Sequence, residues 1–241
     1  MLKTRFGNIL FHKHNNQYIC YDSTVQLILK EHLISEFNAG NLRLGNTTNY
    51  LDYNNGWIKK HFWRKGGVSF LGDSYMYLGL SRTRPIRELK NYIDFNHIIE
   101  NLSNIRLNNI IELCRPVLAH VKTNTVYYSG DIILTKIEGN TLDKVLKNNH
   151  NELLWDNLAF CFKVFFDNGI FNFDMNLTNI LWNETSGKLS FIDFDKLIID
   201  YGNKNHEKNA RQVLGKFEKS LSKHDLRNNV DWSKFLSYIY S

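Results

Sequence analysis

Several scarcities narrow what this chain can be. There are three cysteines, Cys20, Cys114 and Cys161, odd in number and far apart, which excludes a disulfide framework and a CxxC zinc site and fits a reducing compartment. The nine histidines include no HExxH or similar ligand spacing, so zinc is not expected. No apolar run is long enough to cross a bilayer: the most apolar stretch, Leu158 to Phe166, is short and interrupted by Lys163. The N-terminal MLKTRFGNILFHKHNNQY lacks the apolar core of a signal peptide, so a cytoplasmic location is expected. Repeats of solenoid period are missing, and a surplus of asparagine is compositional bias.

What is there is a foldable chain. With 241 residues, 43% hydrophobic and 14% aromatic, it can bury a core, which excludes intrinsic disorder. Its length suits one large domain or two packed lobes. Thirty Lys and Arg against 24 Asp and Glu give a formal charge of +6 and a pI of about 9.1, favouring an anionic partner: a nucleotide, nucleic acid, a phosphorylated sugar or an acidic membrane face. The basic residues are dispersed and no RNP, KH or helix-turn-helix signature occurs, so nucleic acid is not expected as a partner.

Periodicity predicts a helix over 22–37, opened by Asp22, Ser23 and Thr24, with Val25, Leu29, Leu33 and Phe37 on one face. A three-stranded meander is expected over 41–44, 48–53 and 57–64, with turns at Gly45-Asn46 and Asn54-Asn55-Gly56. A helix over 88–102 follows Pro85; strands are expected at 117–121 and 126–137. The breaker Ile137-Glu138-Gly139-Asn140 marks a lobe boundary, giving an N-lobe over 1–137 and a C-lobe over 138–241. The C-lobe is predicted to hold a short helix capped by Thr141, an apolar helix over 151–168 stopped by Gly169, and strands at 179–182 and 189–194. A helix over 211–223 sets Val213, Leu214, Phe217 and Leu221 against Arg211, Lys216, Lys219 and Lys223. Its basic face, with the loop Arg64 to Gly67, is a candidate contact for anionic sugar, phosphate or lipid.

The informative stretch runs from Gly169 to Asp195. A helix is followed by a loop containing Asp174, by Asn179 five residues on, and by a hairpin that closes on Asp193. Loop Asp and Asn residues by themselves are ordinary turn formers. A carboxylate straight after Phe191-Ile192 on an apolar strand, however, is costly unless paired or bound to metal. Phosphoryl transfer from ATP needs such a set: a carboxylate beside the attacking hydroxyl, with an amide oxygen and a second carboxylate to hold Mg²⁺.

The run Asp174-x-x-x-x-Asn179 with Ile192-Asp193-Phe194 resembles the catalytic loop and metal-binding Asp of the protein-kinase-like fold. With Asp195 in place of the usual Gly and Lys196 after it, it is more narrowly similar to bacterial Kdo kinases, which phosphorylate 3-deoxy-D-manno-octulosonic acid (Kdo) on lipid A. Looser likeness extends to Thr47 to Tyr50, Lys60 to Gly67 and Arg211 to Lys219. The resemblance implies an α+β, two-lobed protein-kinase-like fold: a small antiparallel-sheet N-lobe with one main helix and a compact, mostly helical C-lobe.

It further implies that Asp174 is the base or hydroxyl-orienting group, that Asn179 and Asp193 are Mg²⁺ ligands, and that a lysine of the meander contacts the ATP phosphates. Alternation puts Ile58, Lys60 and Phe62 on one face and Lys59, His61 and Trp63 on the other, which favours Lys60. Glu88 is then its partner, and Gly45 and Thr47, in a reduced glycine loop, supply backbone N–H groups to phosphate. Asn172 stands where the fold usually has His.

The implied acceptor is Kdo-lipid A, at the Kdo 4-hydroxyl, by an ATP-dependent sugar kinase peripheral on the cytoplasmic face of a Gram-negative inner membrane. A heptose kinase of the same core and an aminoglycoside-type phosphotransferase share the catalytic residues, and a pseudokinase binding module is the alternative from another class. The 48 residues after Asp193 are too few for a peptide-kinase activation segment and its following helices. Oligomeric state is left open.

Overall fold

The computed structural model describes residues 2–4, 7–23, 31, 50–53, 56–63, 72–148, 152–200, 202 and 205–240. The predicted strand 41–44, the phosphate-loop residues Gly45 and Thr47, the loop Arg64 to Gly67 and nearly all of the predicted helix 22–37 lie outside them. The chain packs as two compact units, one of residues 1–97 with 114–136 and one of residues 98–113 with 137–241.

In the first unit, β1 (Leu2–Lys3), β2 (Asn8–His14), β3 (Gln17–Asp22), β4 (Tyr50–Tyr53), β5 (Trp57–His61), β6 (Tyr75–Met76), β7 (Pro116–Thr123) and β8 (Tyr127–Thr135) form one antiparallel sheet. Its order is β1-β2-β3-β7-β8-β5-β4, with β6 added to β8. Asp22 is the last residue of β3. The β2–β3 hairpin turns on Asn15, whose φ of 53° is one asparagine tolerates.

Helix α1 (Arg84–Asn101) belongs to this unit up to His97 and begins earlier than periodicity alone suggests. The Tyr128 hydroxyl accepts from the Arg84 N–H at 2.9 Å, satisfying one of the donors a helix start leaves open. The Arg84 guanidinium stacks 5.1 Å from the Phe62 ring. Gly130 makes room for this docking: a Cβ there would sit 2.5 Å from the His120 carbonyl oxygen and 2.7 Å from Pro85 Cγ. Ile86, Leu89, Tyr92 and Phe95 of α1 are buried, as are Ile19, Leu118, Ile132 and Ile133 of the sheet.

The second unit contains α2 (Ile105–Ile110), β9 (Asn140–Thr141), α3 (Leu142–Asn148), α4 (Glu152–Asp167), β10 (Ile170–Asn172), β11 (Ile180–Asn183), β12 (Lys188–Phe191), β13 (Leu197–Ile199), α5 (His206–Lys223) and α6 (Trp232–Tyr240). Residues 98–113 join it, although the lobe boundary expected at 137 assigns them to the N-lobe. The reason is local pairing: Arg106 lies 4.2 Å from the Phe160 ring centroid, Glu112 N donates to Leu189 O at 2.9 Å, and Ser190 Oγ donates to Glu112 O at 2.8 Å.

Gly169, at φ 69°, turns the chain from α4 into β10, and the core beneath is aromatic. Phe162 meets Phe217 edge-on at 5.2 Å, Phe165 meets Phe191 at 4.8 Å, and Phe166 stacks on Phe171 at 5.7 Å. Helix α5 buries Val213, Leu214, Phe217 and Leu221 and leaves Lys216, Lys219 and Lys223 exposed. Arg211 on its polar side is paired with Glu207.

Candidate active site

In the first unit the buried Lys60 ammonium lies 2.9 and 2.8 Å from the two Glu88 carboxylate oxygens. Strand register and helix spacing make the pair: Lys60 sits opposite Ile132 of β8, and Glu88 is one turn beyond the anchored Arg84. The Phe62 ring, two residues on, lies 5.2 Å from the same ammonium. Glu88 is fully buried, so this charge is held entirely by its partners.

The opposite strand face, expected to carry Lys59 and His61, holds a second buried cluster. The Asp131 carboxylate takes His61 Nδ1 at 2.9 Å on one oxygen and His120 Nδ1 at 3.3 Å on the other, with Lys59 Nζ at 3.8 Å. His120 Nε2 reaches Gln17 Oε1 at 2.9 Å, and His61 Nε2 reaches Asp73 at 3.3 Å. The hydrogen bond to Asp131 raises the His61 pKa against the effect of burial. Burial alone would raise that of Asp131, but hydrogen bonds from His120 and His61 and the charge of Lys59 outweigh it and hold it low. Burial lowers that of Lys59, with Asp131 opposing.

The second unit brings Asp174, Asn179 and Asp193 into one network. Strand β10 delivers Asn172, whose Oδ1 accepts from Asp174 N at 3.0 Å while its Nδ2 donates to Asp193 O at 3.3 Å. Asn172 thus itself ties the loop to the Asp193 segment, where the fold usually has His. The Asp174 carbonyl accepts from Asn176 Nδ2 and from Asn179 Nδ2, each at 2.9 Å. Asn176 also caps the turn Leu177–Asn179 by accepting from Thr178 N at 3.0 Å. From behind, Ser220 Oγ of α5 accepts from Leu177 N at 3.1 Å.

Across the hairpin, Ile192 N donates to Asn179 O at 3.0 Å, so Asn179 is set beside the residue that precedes Asp193. Asp193 has a φ of 63°, a left-handed conformation costly for a non-glycine residue. That is why β12 stops at Phe191 and the predicted strand does not run to 194.

The donor set suits a hard cation. With Asn179 Nδ2 engaged by Asp174 O, its amide oxygen is left without a hydrogen bond among the described residues, and Asp193 adds a carboxylate. One amide and one carboxylate oxygen, completed by phosphate oxygens, make the kind of site that Mg²⁺ takes.

Sequence reasoning singled out Lys60, Glu88, Asp174, Asn179 and Asp193. It missed Asp131, Asn176 and Ser220. Asn176 had a readable signal, an Asx residue directly before a short turn; Asp131 and Ser220 meet their partners only through tertiary packing.

The model of the lipopolysaccharide kinase (Kdo/WaaP) family matches residues 40–239 of this chain. A 3-deoxy-D-manno-octulosonic acid kinase of Vibrio cholerae serotype O1 is 25% identical over 178 residues, covering 72% of this chain and 68% of that protein. The crystal structure of the yeast RNA Pol II CTD kinase CTDK-1 complex aligns at a TM-score of 0.34 and 16% identity over 66% of this chain. This chain spans 50% of that one, and so slight a likeness carries no argument.

Proposed function

The chain belongs to the lipopolysaccharide kinase (Kdo/WaaP) family, an ATP-dependent kinase family, and from that premise we propose that it phosphorylates the 4-hydroxyl of Kdo on Kdo-lipid A. The observation that carries the assignment of parts is the Asn172–Asp174–Asn179 network with its link to Asp193. Asp174 orients the acceptor hydroxyl and takes its proton as the oxygen attacks the γ-phosphorus and the bond to ADP breaks. Its backbone is held on both sides, so the carboxylate keeps its place through the reaction.

Lys60, fixed by Glu88, contacts the α and β phosphates; Gly45 and Thr47 offer backbone N–H groups to phosphate. The Asn179 amide oxygen and the Asp193 carboxylate would hold Mg²⁺, which would neutralise charge on the phosphates. The 25% identical Kdo kinase and the Asp193-Phe194-Asp195-Lys196 context favour Kdo over heptose. No helix among the described residues is long and apolar enough to cross a membrane. With a lipid-borne acceptor, we place the enzyme peripherally on the cytoplasmic face of the inner membrane, its exposed Lys216, Lys219 and Lys223 toward acidic lipid.

Mixing the protein and Mg·ATP with Kdo-lipid A, heptosylated core or buffer, and following phosphate transfer by mass, tests the reading. Transfer to the Kdo acceptor is expected, falling by about 10²–10⁴-fold in Asp174→Ala with ATP binding retained. Transfer to the heptosylated core alone would move the acceptor to heptose. Failure to bind nucleotide would make the chain a pseudokinase module.

A further inference from the structure

Lys196 lies three residues beyond Asp193, and its ammonium sits 3.4 Å from Asp174 Oδ1. Its backbone is fixed: Lys196 O accepts from Phe173 N at 3.2 Å, and the following Leu197 pairs with Asn172 where β13 meets β10. Only the side chain is loose, with 54% of it exposed against 33% for Asp174. An ion pair so open to solvent contributes little to stability and exchanges partners readily. Residues 164–187, which include the whole loop around Asp174, contain no lysine or arginine. Yet the transferring phosphoryl group spreads negative charge over three oxygens next to the attacking hydroxyl, where a cation is needed.

We propose that Lys196 is a catalytic residue, its ammonium passing from the Asp174 carboxylate to the γ-phosphoryl oxygens of bound ATP. In the free enzyme it neutralises Asp174. With ATP in place it moves to the phosphoryl group, leaving the carboxylate unpaired to accept the hydroxyl proton, while the bond to the attacking oxygen forms and ADP leaves with the electron pair of the broken bond. One side chain thereby supplies the positive charge that the loop lacks and readies Asp174 only when nucleotide is present. This rests on the kinase reading above.

The test compares wild type, Lys196→Met and Lys196→Arg. Calorimetry measures binding of Mg·ATP and Mg·ADP, which needs no acceptor, and phosphate transfer is followed in parallel. Lys196→Met is expected to lose about 10²-fold in kcat and to bind ATP and ADP with more nearly equal affinity, because ADP lacks the group that Lys196 contacts. Lys196→Arg is expected to recover part of both losses, and the thermal midpoint to stay near that of wild type. A merely structural ion pair would leave the ATP-to-ADP affinity ratio unchanged, and that result would overturn the proposal. If wild type binds nucleotide but transfers nothing to Kdo-lipid A, the acceptor reading fails while the affinity ratio still decides Lys196. Absence of nucleotide binding in wild type overturns both.

Discussion

The adjacent lysines Lys59 and Lys60 are both buried but serve different carboxylates, Asp131 and Glu88 respectively. Removing one partner of a buried pair strands the other charge. Glu88→Ala is expected to destabilise the protein by about 3–5 kcal/mol in urea titration, and the double variant Lys60→Met with Glu88→Leu by much less. If the single and double variants unfold together, the pair carries no such coupling. Asn172 was legible only as a departure from the fold's usual His. That its amide can donate to Asp193 O and accept from Asp174 N at once needs the chain path that β10 and β13 create.

At the scale of elements, long periodic stretches were readable and short or locally anchored ones were not. Helix α4 and the β7–β8 and β11–β12 hairpins fall close to their expected places. The β2–β3 hairpin was missed although Asn15-Asn16 separates two alternating runs, and α6 was missed although Asp231 caps a run with Trp232, Phe235 and Ile239 on one face. Helix α1 starts at Arg84 because Tyr128 and Gly130, far along the chain, receive it.

The cluster shared by β3, β5, β7 and β8 makes a pH prediction at this scale. His61 is raised above its ordinary 6.5, so its contribution to stability is complete below that pH and is lost as pH rises through the folded value. Asp131 is held below its ordinary 3.8, so its contribution is present above that pH and is lost as pH falls through the folded value. Urea midpoints are expected to be highest from about pH 4 to 6.5 and to decline on both sides. In Asp131→Asn both limbs flatten; a variant that keeps the wild-type pH profile would remove the cluster from the account.

For the whole molecule, the excess of positive charge is more informative by position than by sum. Arg211 is spoken for by Glu207, whereas Lys216, Lys219 and Lys223 stand exposed along α5, the helix whose Ser220 also holds the Asp174 loop. Replacing the three lysines with Glu is expected to weaken cosedimentation with lipid A-bearing vesicles by tenfold or more at low salt, since each basic residue near an anionic surface is worth about 1 kcal/mol. Unchanged cosedimentation would detach this helix from the membrane. Composition predicted the basic balance and an anionic partner, but it could not say which cations are already paired, because that depends on side chains meeting in space.

The backbone of Asp193 sets stability and turnover against each other at one position. A glycine there would adopt φ 63° without steric cost, so Asp193→Gly is expected to raise the thermal midpoint, by the equivalent of about 1 kcal/mol, while abolishing transfer. A screen that rewards heat resistance alone would therefore select the inactive protein, and one that rewards transfer would retain the strain. Residue 193 should behave under directed evolution as a site where robustness and catalysis cannot be improved together.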